Sequence, residues 1–269
     1  MTSTDAPRST NREDFQVVPR AVGAMAKDFP DGHVIPAHHH PRAQLIYAAA
    51  GVMRVATGDA SWILPPLRGL WMPPWLGHEV RMTGAVAMRT LYVREDAAAA
   101  LPRAVRVIAV SPLLRELILR ATAMPLLYDE AGPEGRVIAL ILDEIAAAPP
   151  LALGLRRPRD PRLARLCAAL DADPADRRTL ARWATAVGAS ERTLARLFHA
   201  ETGMGFATWR QQLRLQEALA RLALGAPVTA VALDLGYESP SAFAAMVRRA
   251  TGASPRALRA GAGDRIASR

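Results

Sequence analysis

Between residues 180 and 251 one pattern occurs twice: a short helical stripe, a glycine, a capping serine and a second helix. In the first copy Leu180, Ala184 and Val187 form the stripe, Gly188-Ala189-Ser190 the turn, and the second helix begins at Glu191. In the second copy Val228, Ala232 and Leu235 are followed by Gly236-Tyr237-Glu238-Ser239 and a helix from Pro240. Glycine accepts the left-handed conformation that ends a helix, and serine caps the next one. Proline suits a first helical position, where its missing N–H would be unpaired anyway. Helix, short turn and helix is the helix-turn-helix plan, and two copies in matching register leave this stretch little else to become. Leu194, Leu197 and Phe198 in one copy, and Phe243, Met246 and Val247 in the other, take the buried offsets. The opposite faces carry Arg192, Ala195, Arg196 and His199, and Ser241, Ala244, Ala245 and Arg248, each at i, i+3, i+4, i+7. A helix with such a face fits the major groove, where arginine pairs with a guanine edge.

The charge distribution points the same way. Residues 1–154 carry fifteen basic and fifteen acidic side chains, whereas residues 155–269 carry nineteen and ten, so the whole excess of +9 lies in the half with the repeat. A basic half beside a neutral one implies a polyanionic partner, and no bulky amphipathic helix accompanies it to suggest a membrane surface. A preference for Arg explains 33 Arg against a single Lys, but not the neutral first half. No apolar run approaches the eighteen residues of a membrane span, the first fifteen residues are polar, and the one cysteine, Cys167, cannot form an internal disulfide. A cytoplasmic protein is expected, with no membrane partner.

The chain divides by texture. Residues 1–28 predict a polar, flexible arm. Residues 29–94 predict short β-strands punctuated by Gly and Pro: HVIPAHHH, AQLIYAAA, VMRVAT, SWILPP, GLWMPP, EVRM and VAMRTLYV. Residues 95–159 predict a helical connector and linker, residues 160–260 the double helix-turn-helix domain, and residues 261–269 a tail. In the connector, Val137, Ile138, Ile141 and Ile145 form an apolar stripe that must be buried somewhere; it is expected to pair two copies of the chain in a homodimer. Trp62, Trp71, Trp75 and Tyr47 are expected in the core of the β-domain. Ser111 and Ser190 are expected as helix caps, and Cys167 as a small core residue. No phosphate loop, dinucleotide fingerprint or catalytic set is present.

The stretches LFHAETGMGFATWRQQLRL and ALDLGYESPSAFAAMVRRATGASPRALR resemble the two halves of the DNA-binding domain of AraC/XylS-type transcription regulators, over residues 160–260. The resemblance implies that a long helix, here Phe206 to Leu224, joins the two units, and that both enter successive major grooves on one DNA face. It places Arg192, Ala195 and Arg196 toward the groove in the first recognition helix, and Pro240, Ser241, Ala244 and Ala245 in the second. The alanines leave the second helix few hydrogen bonds to bases. The first helix is therefore expected to carry most polar readout, and the second to add methyl contacts, register and a phosphate grip from Arg248 and Arg249.

His38, His40 and Gln44 lie at even spacing, so on one strand they would share a face, and His78 follows on a later strand. This set resembles that of the cupin barrel, His-x-His-x-x-x-Glu with a later His. Gln44 replaces the carboxylate, and Trp75 stands where the second cupin motif usually has Gly. Three imidazoles and an oxygen suit a divalent transition metal, as a possible cofactor or effector. His39 should point the other way. The expected architecture is thus α+β in two domains: an N-terminal cupin-like β-barrel, a helical connector and a C-terminal all-α domain with two helix-turn-helix units. The expected function is a sequence-specific, non-enzymatic regulator that binds double-stranded promoter DNA and senses a small-molecule or metal effector. The alternative is a metal-dependent cupin enzyme with an accessory helical domain.

Overall fold

The computed structural model describes residues 9–151 and 153–263; residues 1–8 of the expected arm and 264–269 of the expected tail lie outside them. The remainder of the arm is built into the fold. Arg12–Phe15 make one 3-10 turn, capped by the Asn11 side chain, and Phe15 is buried with its ring 6.1 Å from that of Tyr92. Strand β1 (Val22–Phe29) then pairs antiparallel along its whole length with β6 (His78–Val93). The sheet therefore begins at Val22 and not at residue 29.

Strand β2 (Val34–His38) pairs with β6, and β3 (Ala43–Ala56) pairs with β6, β4 (Ala60–Leu64) and β5 (Arg68–Met72). AQLIYAAA with VMRVAT, and EVRM with VAMRTLYV, each expected as two strands, are one long strand apiece. Gly51 and Gly84 are not breaks; both have φ of +73°, and the β3–β6 register slips on either side of Ala50. At such bulges the strands bend, and the sheet curls over its own inner face. A Cβ at position 51 would lie 2.4 Å from the Ala85 carbonyl oxygen, so the bend needs glycine for space as well as for φ. Gly51→Ala is expected to cost roughly 2–4 kcal/mol of stability, read as a lower urea midpoint at unchanged slope. A loss under about 0.5 kcal/mol would show that the bend tolerates a side chain.

The strand order is β1-β6-β3-β5-β7 (Arg106–Ala109)-β8 (Pro150–Leu151), with β2 on β6, β4 on β3 and β9 (Gly154–Arg156) on β4. The ladder stays open, so the cupin-like domain is a curled sheet rather than a closed barrel. Strands β7 (Arg106–Ala109), β8 (Pro150–Leu151) and β9 (Gly154–Arg156) come from the expected connector, which is thus part of the sheet domain. Helices α1 (Pro112–Ala123) and α2 (Pro133–Ala147) cover the outer face over Leu45, Tyr47, Trp71 and Leu91. Here the expected dimer stripe is corrected. Ile138, Ile141 and Ile145 are buried in this same core with Val137 packed beside them, so the apolar stripe is satisfied within one chain.

Helices α3 (Pro161–Ala172), α4 (Leu180–Val187), α5 (Glu191–Thr202), α6 (Phe206–Ala223), α7 (Val228–Asp234), α8 (Pro240–Thr251) and α9 (Pro255–Gly263) follow. The repeat extends past the two helix-turn-helix units. Thr202 and Thr251 close α5 and α8 in the same way, each hydroxyl bonded to the carbonyl four residues back, each followed by a glycine at positive φ and then a third helix. The two three-helix units are not equally placed. The first has its own core of Trp183, Leu194, Phe198 and Trp209, joined by Leu155 of β9. Val231, Phe243, Met246 and Val247 of the second share one continuous core with Leu215, Leu219 and Leu222 of α6 and with Met53, Leu64, Ile46 and Met88 of the sheet.

Candidate sensor pocket and nucleic-acid interface

The two recognition helices are fixed by their caps. Ser190 Oγ accepts the Thr193 N–H at 3.1 Å, and Ser239 Oγ accepts the Ala242 N–H at 3.2 Å. Gly188 and Gly236 sit in the turns at φ of +70° and +75°. Leu194, Phe198, Phe243, Met246 and Val247 point into the core, with Leu197 only half-buried. This leaves Arg192, Ala195, Arg196 and His199 exposed on α5, and Pro240, Ser241, Ala245, Arg248 and Arg249 exposed on α8, with Ala244 partly so. Long basic side chains thus stand out from α5, while α8 offers a hydroxyl and methyl groups before its two terminal arginines. Such a surface can grip phosphates at both helices and hydrogen-bond bases chiefly from the first.

On the other domain β2, the turn after it and β6 bring His38, His40 and His78 together, with one ligand atom of each within 4.8 Å of the others. All three rings are oriented by backbone carbonyls: Nδ1–H of His38 donates to Pro36 (2.8 Å), of His40 to Arg42 (2.7 Å) and of His78 to Leu76 (2.9 Å). Each Nε2 is therefore left with a lone pair. His78 Nε2 is buried and has no partner among the described residues. His40 Nε2 faces Gln44 Oε1 at 2.9 Å. The Gln44 amide is held that way round, because its Nε2 donates to Thr90 Oγ1 (2.8 Å) and Thr90 in turn donates to the Leu45 carbonyl (3.0 Å). Two acceptors at hydrogen-bond distance require a proton or a cation between them. Burial opposes the proton: it lowers the His38 and His40 imidazoles below their ordinary value and brings His78 down to about 4. The donor set fits a divalent transition metal, with imidazoles oriented by outer hydrogen bonds as such ligands usually are. His39 is exposed and turned away, its ring 6.0 Å from that of Trp75. Trp75 is corrected from the expected core: it is 63% exposed, at φ of +62°, whereas Trp62, Trp71 and Tyr47 are buried.

His38 and His78 border a cavity of about 400 Å³ on the inner face of the sheet. His38, His78 and Gln44 form its polar end; Met25, Phe29, Ile35, Ile46, Val80 and Met88 form apolar walls; the lining also includes Tyr92 and His33, and Arg12 and Glu13 of the N-terminal turn with Lys27 of β1. Sequence reasoning missed these last three because nothing local marks them, although Lys27 is the chain's one lysine. It also missed the groups that join the two domains. Gln216 of α6 is buried and donates to the carbonyls of Leu153 (2.7 Å) and Ser61 (3.3 Å). Arg68 of β5 donates to the Thr251 carbonyl at the end of α8 (3.2 Å). Ser111 caps α1, accepting the Leu114 N–H at 3.0 Å. Cys167 is buried, which pushes its thiol up to about 12 and leaves it unreactive core.

Comparison with known proteins finds two matching family models. An AraC-like ligand binding domain matches residues 26–186, and a helix-turn-helix domain matches residues 183–261. The HTH-type transcriptional regulator NimR of Escherichia coli K12 is 33% identical over 220 residues, which span 82% of this chain and 80% of that protein. The HTH-type transcriptional regulator RipA of Corynebacterium glutamicum is 38% identical over 96 residues, 35% of this chain and 29% of that one. Among solved structures, ToxT of Vibrio cholerae is a distant likeness, at 6% identity and a TM-score of 0.38 over 90% of this chain and 99% of that chain.

Proposed function

Because the chain belongs to the AraC family of transcription regulators, joining a ligand-binding domain to a helix-turn-helix DNA-binding domain, we propose that its sensor responds to a small effector taken up in the cavity beside a divalent transition-metal ion. His38, His40 and His78 would hold the ion through Nε2, with Gln44 Oε1 as the neutral fourth donor. The observation that carries this reading is the set of three imidazoles with ligand atoms within 4.8 Å of one another, one of them with a buried Nε2 that has no partner among the described residues. The ion supplies a fixed positive centre when bound; the chain's own residues do the rest. Carbonyls of Pro36, Arg42 and Leu76 hold the rings, Thr90 holds Gln44, and apolar side chains line the cavity beside them.

The DNA-binding surface is proposed to be the exposed face of α5, with Arg192, Arg196 and His199, together with that of α8. Control follows if the effector has different affinity for DNA-competent and incompetent arrangements. The second unit, which shares its core with the sheet, is the natural place for that difference to arise. We place the protein in the cytoplasm and read it as a homodimer rather than a monomer on DNA. With the Val137–Ile145 stripe buried, the contact falls to the outer side of α1 and α2, where Leu113 and Leu140 are exposed. The curated relatives are regulators, and the enzyme reading has no support among them.

Fluorescence anisotropy tests the function directly. The protein is titrated onto the duplex upstream of its own gene and onto a scrambled duplex at about 150 mM salt, with and without Ni²⁺. A preference on the order of a thousandfold is expected for the upstream duplex, with a metal-dependent change in affinity. Equal, weak binding to both that falls together with salt would reduce the surface to a basic patch.

A further inference from the structure

The cavity beside the histidines is unbalanced in charge. Its lining includes two side-chain cations, Arg12 and Lys27, against one carboxylate, Glu13. That carboxylate is already held by Arg12, Nε to Oε1 at 3.1 Å. Lys27 Nζ donates to the Thr10 carbonyl oxygen at 3.2 Å, which leaves two of its three protons for another acceptor. At the deep end the donor set is neutral throughout, three imidazoles and an amide, so an ion held there keeps its whole double charge. The lining also includes Thr10, Asn11, His33 and Tyr92, and its remaining walls are apolar, from Met25 and Phe29 to Val80 and Met88. The volume of about 400 Å³ lies at the small end of the range in which ligands are buried. An organic cation would face Arg12, Lys27 and the ion. A neutral molecule would bring no charge to meet Lys27 and the ion, and would leave Arg12 only its pair with Glu13.

We propose that the effector is a small organic carboxylate, whose anionic group meets the ion held by His38, His40 and His78 together with Arg12 and Lys27, and whose apolar body fills the cavity between β1 and β6. This inference rests on the metal reading above and adds to it the charge and chemical class of the ligand. Arg12 belongs to the turn at the cavity wall, so the anion would also fasten that turn to the sheet.

The test uses full-length protein loaded with Co²⁺, whose visible absorption reports its ligands, titrated separately with hexanoate, benzoate, hexanol and hexylamine. Hexanoate or benzoate should saturably change the cobalt bands and bind at least about tenfold more tightly than the alcohol or amine. Lys27→Gln and Arg12→Gln should each weaken carboxylate binding about tenfold with Co²⁺ affinity unchanged, and Lys27→Arg should recover most of it. Cobalt that binds but ignores both carboxylates, or hexanol that binds as well as hexanoate, overturns the anionic assignment and leaves the metal site standing. Failure of Co²⁺ to bind removes the metal reading and this inference with it.

Discussion

Replacing both Arg192 and Arg196 with alanine is expected to abolish preference for the operator while leaving the protein folded. Both side chains stand in solvent on α5, and neither touches the core formed by Leu194 and Phe198, so the substitution removes contact groups without loosening the helix. An arginine bound to a guanine edge discriminates by about 1–3 kcal/mol, so the pair should account for a loss on the order of a hundredfold to a thousandfold in operator affinity. Binding to a scrambled duplex should fall far less, by the share of the two charges in phosphate attraction. Ser241→Ala on α8 removes a single hydroxyl beside existing methyl groups and should cost less than tenfold. Arg248→Ala with Arg249→Ala should weaken both duplexes alike and flatten the salt dependence, as lost phosphate contacts do. Anisotropy titrations of the four proteins decide this. A loss of specificity from Ser241→Ala equal to that from the paired Arg192 and Arg196 substitutions would contradict the division of labour between the two helices.

His78→Leu should separate metal binding from folding in opposite directions. In the metal-free protein His78 contributes one hydrogen bond, from Nδ1 to the Leu76 carbonyl, and carries the penalty of a buried Nε2 without a partner. Leucine forfeits the first and removes the second, so stability without metal should change by no more than about 1 kcal/mol. The response to metal should vanish. Unsubstituted protein in Ni²⁺ at a hundred times its dissociation constant gains about 2.7 kcal/mol, and the variant should gain none. Thermal melts of both proteins with and without Ni²⁺ read the two effects together. A variant that loses several kcal/mol in the absence of metal, beside a parent indifferent to Ni²⁺, would make His78 a packing residue.

What could be read from the sequence was what short-range chemistry dictates. Capping serines, turn glycines and the i, i+3, i+4 offsets locate both helix-turn-helix units, because each device acts within four residues of itself. Even spacing suggested that His38, His40 and Gln44 share one strand face. They stand instead at the end of β2, in the turn after it and on β3, and the chain reversal brings them together. The strand breaks at Gly51 and Gly84 were misread because glycine marks both chain reversal and bulge, and only the partner strand distinguishes them. VGAMAKDF in β1 alternates too weakly to announce a strand, and its pairing partner lies more than fifty residues away. The α2 stripe announces burial but not what buries it. Lys27 and Arg12 became pocket residues only through contacts that no local pattern records.

The continuity of the second unit with the sheet bears on where this chain can be cut. Its composition changes near residue 160, but the apolar face of α6 with Leu215, Leu219 and Leu222, together with Phe243, Met246 and Val247, lies in one core with strands from the far side of that point. A fragment beginning at residue 160 would keep the first unit's core except for Leu155 and lay bare much of the second's. Grafting this DNA-binding half onto a foreign sensor would therefore transplant half of an interface, and the graft would have to bring β4 and β9 with it to keep Gln216 and Trp209 in their bonds to Ser61, Leu153 and Arg156. For recombination, natural or engineered, the smallest exchangeable piece is larger than the charge pattern suggests.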